Sequence, residues 1–135
     1  MELVIDANEV MSSLISSSGK TAEIIFSDTL KLLAPEYILD EIHKHKEEII
    51  KKSGLSKEEL DILLSLIFSH IELIPFSQFE NFQEKASKFC PDPNDTEYFA
   101  LALKIGCPIW SEDKALKRQD KVKVLTTSEI LNLSN

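Results

Sequence analysis

Four acidic residues stand where apolar runs end or helical runs begin. Asp6 closes Leu3-Val4-Ile5, Glu41 follows Ala34-Pro35, Asp95 opens a helical stretch, and Asp113 follows Pro108-Ile109-Trp110. Carboxylates gathered at the C-terminal ends of parallel strands repel one another unless something positive lies between them. Mg²⁺ and Mn²⁺ prefer oxygen ligands and are the simplest occupants. The chemistry to expect from such a site is metal-assisted attack on a phosphodiester.

Each acid also has a plain structural account. Asp6 could be the N-cap of the helix that follows it. Glu41, beside Ile38 and Ile42, could be a solvated acid favoured by the positive end of its helix. Asp113 could cap the segment Lys114 to Arg118. Asp95 is the least well explained in this way, because Asn94 and Glu97 already form a capping pattern. It continues the row Tyr98 and Ala102 at i, i+3, i+7, and a carboxylate at the buried end of such a row is costly unless paired or metal-bound. Asp92 offers a competing arrangement, as the cap with Asp95 its helical partner.

The elements that must position these acids alternate between strand and helix. Residues 2–6 read as a buried strand and 8–16 as a short helix ending before Ser16-Ser17-Ser18-Gly19. Thr21 to Thr29 has helical spacing at Ala22, Ile25, Phe26 and Thr29, and Lys31 to Ala34 is a strand. Pro35 suits the first turn of a long helix running to about Lys52, closed by Ser53-Gly54. Ser56 and Glu59 form a capping box for a helix over 57–70, whose stripe is Leu60, Leu63, Leu64 and Ile67. These two helices are expected to form an antiparallel pair. Ile71 to Pro75 is a strand, Phe76 to Phe89 a helix, Cys90 to Asn94 a turn and 95–105 a helix. Cys107 to Trp110 and Val122 to Leu125 are strands, and a short helix starts at Ser128. The alternation implies a parallel sheet with helices on both faces.

Composition narrows the function classes. The chain has 135 residues, 43% apolar and 28% charged, a length and balance that suit one globular domain spanning 1–135. No apolar run approaches the ~18 residues of a membrane span, and the N-terminus has no basic leader, so a cytoplasmic protein is expected. Cys90 and Cys107 lack metal-ligand spacing and read as reduced thiols, with a disulfide not required. The net charge of −8 argues against a broad basic surface for nucleic acid. It does not exclude a nucleic-acid substrate, because metals bound by acidic groups reverse the charge locally. With only three glycines there is no P-loop or dinucleotide fingerprint, and no serine lies in a GxSxG elbow. His43 and His45 fall on different sides of a helix and make a poor zinc pair; with His70 they read as surface residues. Phe76, Phe79 and Phe82 read as packing residues rather than a stacking platform.

Taken in order, Leu3-Val4-Ile5-Asp6-Ala7-Asn8, Ala34-Pro35 with Glu41, Asp92-Pro93-Asn94-Asp95-Thr96-Glu97-Tyr98-Phe99-Ala100-Leu101-Ala102 and Ile109-Trp110-Ser111-Glu112-Asp113 resemble a PIN domain over nearly the whole length. The resemblance implies an α/β fold, a PIN-like three-layer α/β/α sandwich with a central, mainly parallel sheet and a projecting helical pair over 36–70. It implies a ribonuclease that uses Mg²⁺ or Mn²⁺, of the kind found as VapC-like toxins paired with an antitoxin protein. By position, Asp6, Glu41, Asp95 and Asp113 match the family's acidic quartet, as metal ligands and catalytic groups. Asn8 and Ser111 match accessory polar positions, and Asp92 is an accessory acid. The stretch Lys114-Ala115-Leu116 departs from the family's common Asp-x-Asp-Phe form, which leaves Glu112 open as a substitute for the last acid. Lys114, Lys117 and Arg118 are the nearest clustered cations for an RNA phosphate. A homodimer is also implied by the family.

Two rivals stand beside this reading. Asp6-Ala7-Asn8 distantly resembles the Asp-x-Asp of haloacid-dehalogenase-like phosphatases, but Asn8 replaces the second acid and the Gly-Thr sequel is missing. A catalytically silent PIN-fold scaffold that binds RNA or protein is the other; the single arginine, Arg118, and the acidic balance favour it, whereas the complete quartet opposes it.

Overall fold

The computed structural model describes residues 1–16 and 19–133. Apolar runs too short for helices become strands β1 (Glu2–Ile5), β2 (Lys31–Pro35), β3 (Ile71–Ile74), β4 (Ile109–Trp110) and β5 (Val124–Leu125). They form one sheet in the order β3-β2-β1-β4-β5, parallel throughout. Leu3, Val4 and Ile5 are fully buried, as expected for the middle strand of a sheet covered on both faces. The helices that supply the cover are α1 (Ala7–Ile15), α2 (Lys20–Ile25), α3 (Tyr37–Lys44), α4 (Lys46–Ser53), α5 (Lys57–Phe68), α6 (Gln83–Ser87), α7 (Thr96–Ile105) and α8 (Thr127–Leu133). Among the described residues no helix is long and apolar enough to cross a membrane.

Helix α7 is the main support of the sheet. Tyr98, Phe99, Ala100, Leu101 and Ala102 are all buried, and the helix packs on β1, β2 and β4. Gly106, in the left-handed region at φ 76°, ends it and turns the chain into β4. The capping box of α5 forms as its sequence predicts: Ser56 Oγ accepts from the Glu59 N–H at 3.1 Å, and Glu59 accepts from the Ser56 N–H at 3.0 Å.

Several expected boundaries differ. Pro35 ends β2 instead of starting a helix. It stands opposite Ile74, and the ladder bond passes to the Glu36 N–H, which donates to the Ile74 carbonyl at 3.1 Å. A residue without an N–H is tolerated at such a strand end. The long helix to Lys52 is two helices, broken at His45 (φ −105°, ψ 8°), so three helices stand where an antiparallel pair is expected. The break allows Ile38 and Ile42 before it and Ile49 after it all to be buried, with α4 packed on α1. The helix expected over 76–89 is two 3₁₀ turns, Phe76–Gln78 and Glu80–Phe82, followed by α6. Side chains at i and i+3 eclipse in a 3₁₀ turn. Here that sets the Phe76 and Phe79 rings edge to face at 5.4 Å, with Phe79 fully buried. The helix expected over Thr21 to Thr29 stops at Ile25, which leaves Phe26 exposed against the ring of His70. Of the Ser16–Gly19 break, Ser17 and Ser18 lie outside the described residues.

Replacing Ser56 by Ala is expected to cost about 1 kcal/mol of folding stability, by loss of the cap bond. Chemical denaturation of the two proteins measures it, with no change expected in the slope against denaturant.

Candidate active site

The strand order creates the place where a site can form. The chain moves outward from β1 to β2 and β3, then returns to β4 on the other side of β1. Loops leaving β1 and β4 therefore part in opposite directions and open a crevice at the carboxyl end of the sheet. Register then decides which side chains meet there. Ile5 stands opposite Trp110, so the residues that follow them, Asp6 and Ser111, come out side by side.

Asp6 is buried, and so is Ser111, whose hydroxyl donates to Asp6 Oδ2 at 2.8 Å. The Asn8 N–H donates to Asp6 Oδ1 at 3.4 Å, a long cap bond, so Asp6 does cap α1 but weakly. Burial raises the Asp6 pKa and the charge of Asp113 adds to this, while the bonds from Ser111 and Asn8 oppose it. The Ser111 oxygen also accepts from the Asp113 N–H at 3.1 Å. One hydroxyl thus ties the ends of β1 and β4 together. Asp113 itself accepts from the Ala115 N–H at 3.0 Å and is exposed. Its structural role as a cap of the 3₁₀ turn Lys114–Arg118 is real, and it still faces the other acids.

Asp95 occupies the N-cap position of α7, yet its side chain caps nothing. Asp92 is the cap here: it accepts from the Asn94 N–H at 2.9 Å and starts the 3₁₀ turn Pro93–Asp95. The capping pattern expected from Asn94 and Glu97 does not form, because Pro93 at the start of the turn makes Asp92 the residue in extended conformation. The Asp95 carboxyl is pushed up to about 7, first by burial, then by the charges of Asp6, Asp92, Glu41 and Asp113. These five acids come from three separate stretches of chain besides the turn that carries Asp92 and Asp95 themselves, and they share one field. Glu41 lies on α3, half-buried; burial raises its pKa and the Asp6 charge adds to this. The Tyr98 hydroxyl donates to Glu41 Oε1, and Lys44 and His45 lower the Glu41 pKa by their charge. Burial and the nearby acids raise the Tyr98 phenol far above its usual range, so it remains a protonated donor.

The donor set is all oxygen, which suits a hard divalent cation. The charges that raise Asp6 and Asp95 come from other carboxylates, whereas Lys44 and His45 act on Glu41. As placed, however, no three His, Cys, Asp or Glu side chains among the described residues stand close enough to grip an ion. Asp6 and Glu41 are engaged by Ser111 and Tyr98, while Asp95 carries no cap bond that would have to break. In residue type and in mutual field the set fits a cation; its side chains are not drawn into a cage.

The remaining expected site residues are placed as follows. Asn8 is exposed on α1, close to the crevice through its bond to Asp6. Lys114, Lys117 and Arg118 are exposed on the turn after Asp113, and Lys117 is bound to Glu129 at 2.5 Å. The cations whose charge reaches the acids are instead Lys44 and His45, in a run that reads as plain surface in the sequence. Glu112 points away: its carboxylate accepts from the Thr127 N–H at 2.5 Å. Cys90 and Cys107 are both free thiols.

Two residues of the site are not apparent from the sequence reasoning. Tyr98 counted only as part of an apolar row. Glu9 has no role of its own in the sequence reading, although an acid one helical turn after Asp6, between Ala7 and Val10, is a usable sign. It is buried, with a pKa raised to about 7 by burial first and by the charges of Glu112 and Asp6 next, against the bond it accepts from the Glu112 N–H.

Comparison with known proteins bears on the family and the fold. The family model of the PIN domain matches residues 4–132. No curated protein matches the chain. Among solved structures, a chain in the crystal structure of VapBC2 from Rickettsia felis bound to a DNA fragment from their promoter superposes with a TM-score of 0.62. The identity is 15%, over 93% of this chain and 98% of that one, a likeness of fold.

Asp95 and Glu9 titrate near 7 in the folded protein and near 4, roughly, in an unfolded chain. The folded state therefore holds more protons between those values. The stability these groups contribute is complete below the unfolded pKa and is lost as pH rises through 7. In buffer containing a chelator, Tm is expected to fall from pH 5 to pH 8, with a shallower fall in Asp95→Asn. Calorimetric scans across that interval check it; a rising Tm contradicts the shared field.

Proposed function

The chain belongs to the PIN domain family, and from that premise we propose that it is a metal-dependent ribonuclease hydrolysing RNA phosphodiester bonds. What supports the proposal is the field that the acids share at the carboxyl end of the sheet, where the charges of Asp6, Glu41 and Asp113 add to burial in raising the proton affinity of Asp95. Mg²⁺ or Mn²⁺ would be held by Asp6 and Asp95, with Glu41 and Asp113 as direct or water-mediated ligands. The chemistry such an ion supplies when bound is polarisation of a phosphoryl oxygen and activation of a water.

The chain's own residues do the rest. Ser111 orients the Asp6 carboxylate and holds Asp113 beside it. Tyr98 orients Glu41 by donating to one oxygen and leaving the other available. Lys44 and His45 supply positive charge at the Glu41 side of the crevice, and Lys114 and Arg118 supply it beyond Asp113, where a phosphate backbone could be steered. Asn8 and Asp92 border the site as accessory polar groups.

The VapBC2 proteins of the structural neighbour form a complex on DNA. On that pattern the chain is read as a cytoplasmic toxin with an antitoxin protein as partner and a second copy of itself as a dimer mate. A catalytically silent PIN-fold scaffold is the second reading, favoured by the absence of a gathered metal cage among the described residues.

Asp6→Asn and Asp95→Asn are each expected to abolish Mn²⁺-dependent cleavage of RNA, by at least ~100-fold, while the proteins stay folded; the estimate follows the usual weight of a metal-held charge in such reactions. Circular dichroism and a cleavage assay with a chelator control test this. Normal cutting by both variants sinks the quartet as a catalytic set, and no Mn²⁺ binding at millimolar concentration by calorimetry favours the scaffold.

A further inference from the structure

Glu9 is 1% exposed and has no part in the chemistry above. Its Oε1 accepts from the Glu112 N–H at 3.0 Å, its Oε2 is buried and makes no hydrogen bond among the described residues, and the Thr127 hydroxyl acts on the same carboxyl to lower its pKa. A carboxylate in that state is expensive, and an apolar side chain of the same length would fill the space at lower cost. The bond it makes falls at a particular place. Glu112 lies between Ser111, which holds Asp6, and Asp113, which faces Asp95. We propose that Glu9 is a positioning residue which, by accepting from the Glu112 N–H, sets the Ser111–Asp113 turn so that the Ser111 hydroxyl serves Asp6 and Asp113 together. The inference rests on the nuclease reading above.

The turn is fastened from several sides, and the role of Glu9 among them is distinct. The Ser111 N–H donates to the Leu125 carbonyl at 3.0 Å, which fixes where the turn begins. The Trp110 Nε1–H donates to Thr127 Oγ1 at 3.0 Å, and the Thr127 N–H donates to Glu112 Oε1. These bonds hold the turn to β5 and α8. Glu9 fastens it to α1, the helix capped by Asp6. A rotation of the Ser111–Glu112 peptide, which carries that N–H, would move the chain beyond it and draw the Asp113 N–H off the Ser111 oxygen, and with it the hydroxyl that orients Asp6. Partners that orient metal ligands in this indirect way typically change affinity or rate when removed, although they touch neither metal nor substrate.

Two substitutions separate positioning from packing. Glu9→Gln retains an Oε1 acceptor and is expected to keep Mn²⁺ affinity and kcat within ~3-fold of the unsubstituted protein. Glu9→Met has similar length and no acceptor; it is expected to lose ~10–100-fold in Mn²⁺ affinity and kcat, with KM for RNA little changed. Its Tm at pH 8 in chelator should not fall, since a buried ionised carboxylate has been removed. A lower Tm with unaltered Mn²⁺ affinity and kcat assigns Glu9 to packing and overturns the proposal. If the unsubstituted protein binds no Mn²⁺, the nuclease reading fails and this inference fails with it; if it binds Mn²⁺ and Glu9→Met binds equally well, only the role of Glu9 is refuted. Amide hydrogen exchange of the unsubstituted protein gives a test that needs no variant: the Glu112 amide should be protected like that of Ser111, and exchange at the rate of a free turn amide rules the Glu9 bond out.

Discussion

Burial of the Asp6 carboxylate at the end of β1 is the constraint from which the rest of the site follows. A charged group in that position must be bonded or balanced, and the register of β1 against β4 delivers a single neutral donor, the Ser111 hydroxyl. One hydroxyl lowers the cost without neutralising the charge. The Asp6 pKa stays raised despite it, and every further acid brought to the crevice increases the deficit of positive charge.

The surrounding elements enlarge that deficit rather than relieve it. Helix α7 brings Asp95 with no bond of its own, α3 brings Glu41, and the loop after β4 brings Asp113. Glu41 and Asp113 are individually supported: Glu41 by Tyr98, Asp113 by Ala115, the turn of Asp113 by Glu9 through Glu112. These hydrogen-bonding supports are neutral donors or, in Glu9, another acid, and Lys44 and His45 act on Glu41 by charge. Such an arrangement is unfavourable as pure structure, and a bound cation would relieve it, because an ion's charge inverts the local preference for protonation.

Local signals carried most of the architecture. Short apolar runs marked all five strands, and the Ser56/Glu59 box marked α5, because burial pattern and capping depend on neighbouring residues in the chain. The failures have tertiary causes. Pro35 suits a helix start and a strand end equally, and pairing with β3 selected the strand. Phe76, Phe79 and Phe82 have spacing close enough to helical to suggest one helix, whereas burial of Phe79 is met by two 3₁₀ turns. The continuous helical pattern through His45 hides a break that buries Ile49 against α1.

The same division holds for the site. Residue type and order along the chain drew attention to Asp6, Asp95 and Asp113, since acids that terminate apolar strands or precede apolar helical rows stand out against their neighbours, whereas Glu41 rests chiefly on the resemblance to a PIN domain. Their mutual field was not legible; the sequence offers both Asn94 and Asp92 as the cap before Asp95, and the structure selects Asp92 and leaves the Asp95 side chain with no cap bond. The hydroxyl shared by Asp6 and Asp113, the phenol on Glu41 and the buried Glu9 beneath the Glu112 amide were equally hidden. Those contacts join residues up to 105 positions apart, and only strand order and register bring them within hydrogen-bond reach. The sequence alone determined which groups carry charge and which strands they follow. The tertiary structure decided which of those charges share a crevice, because pKa shifts and orientation depend on distance and burial, and neither is a property of the linear chain.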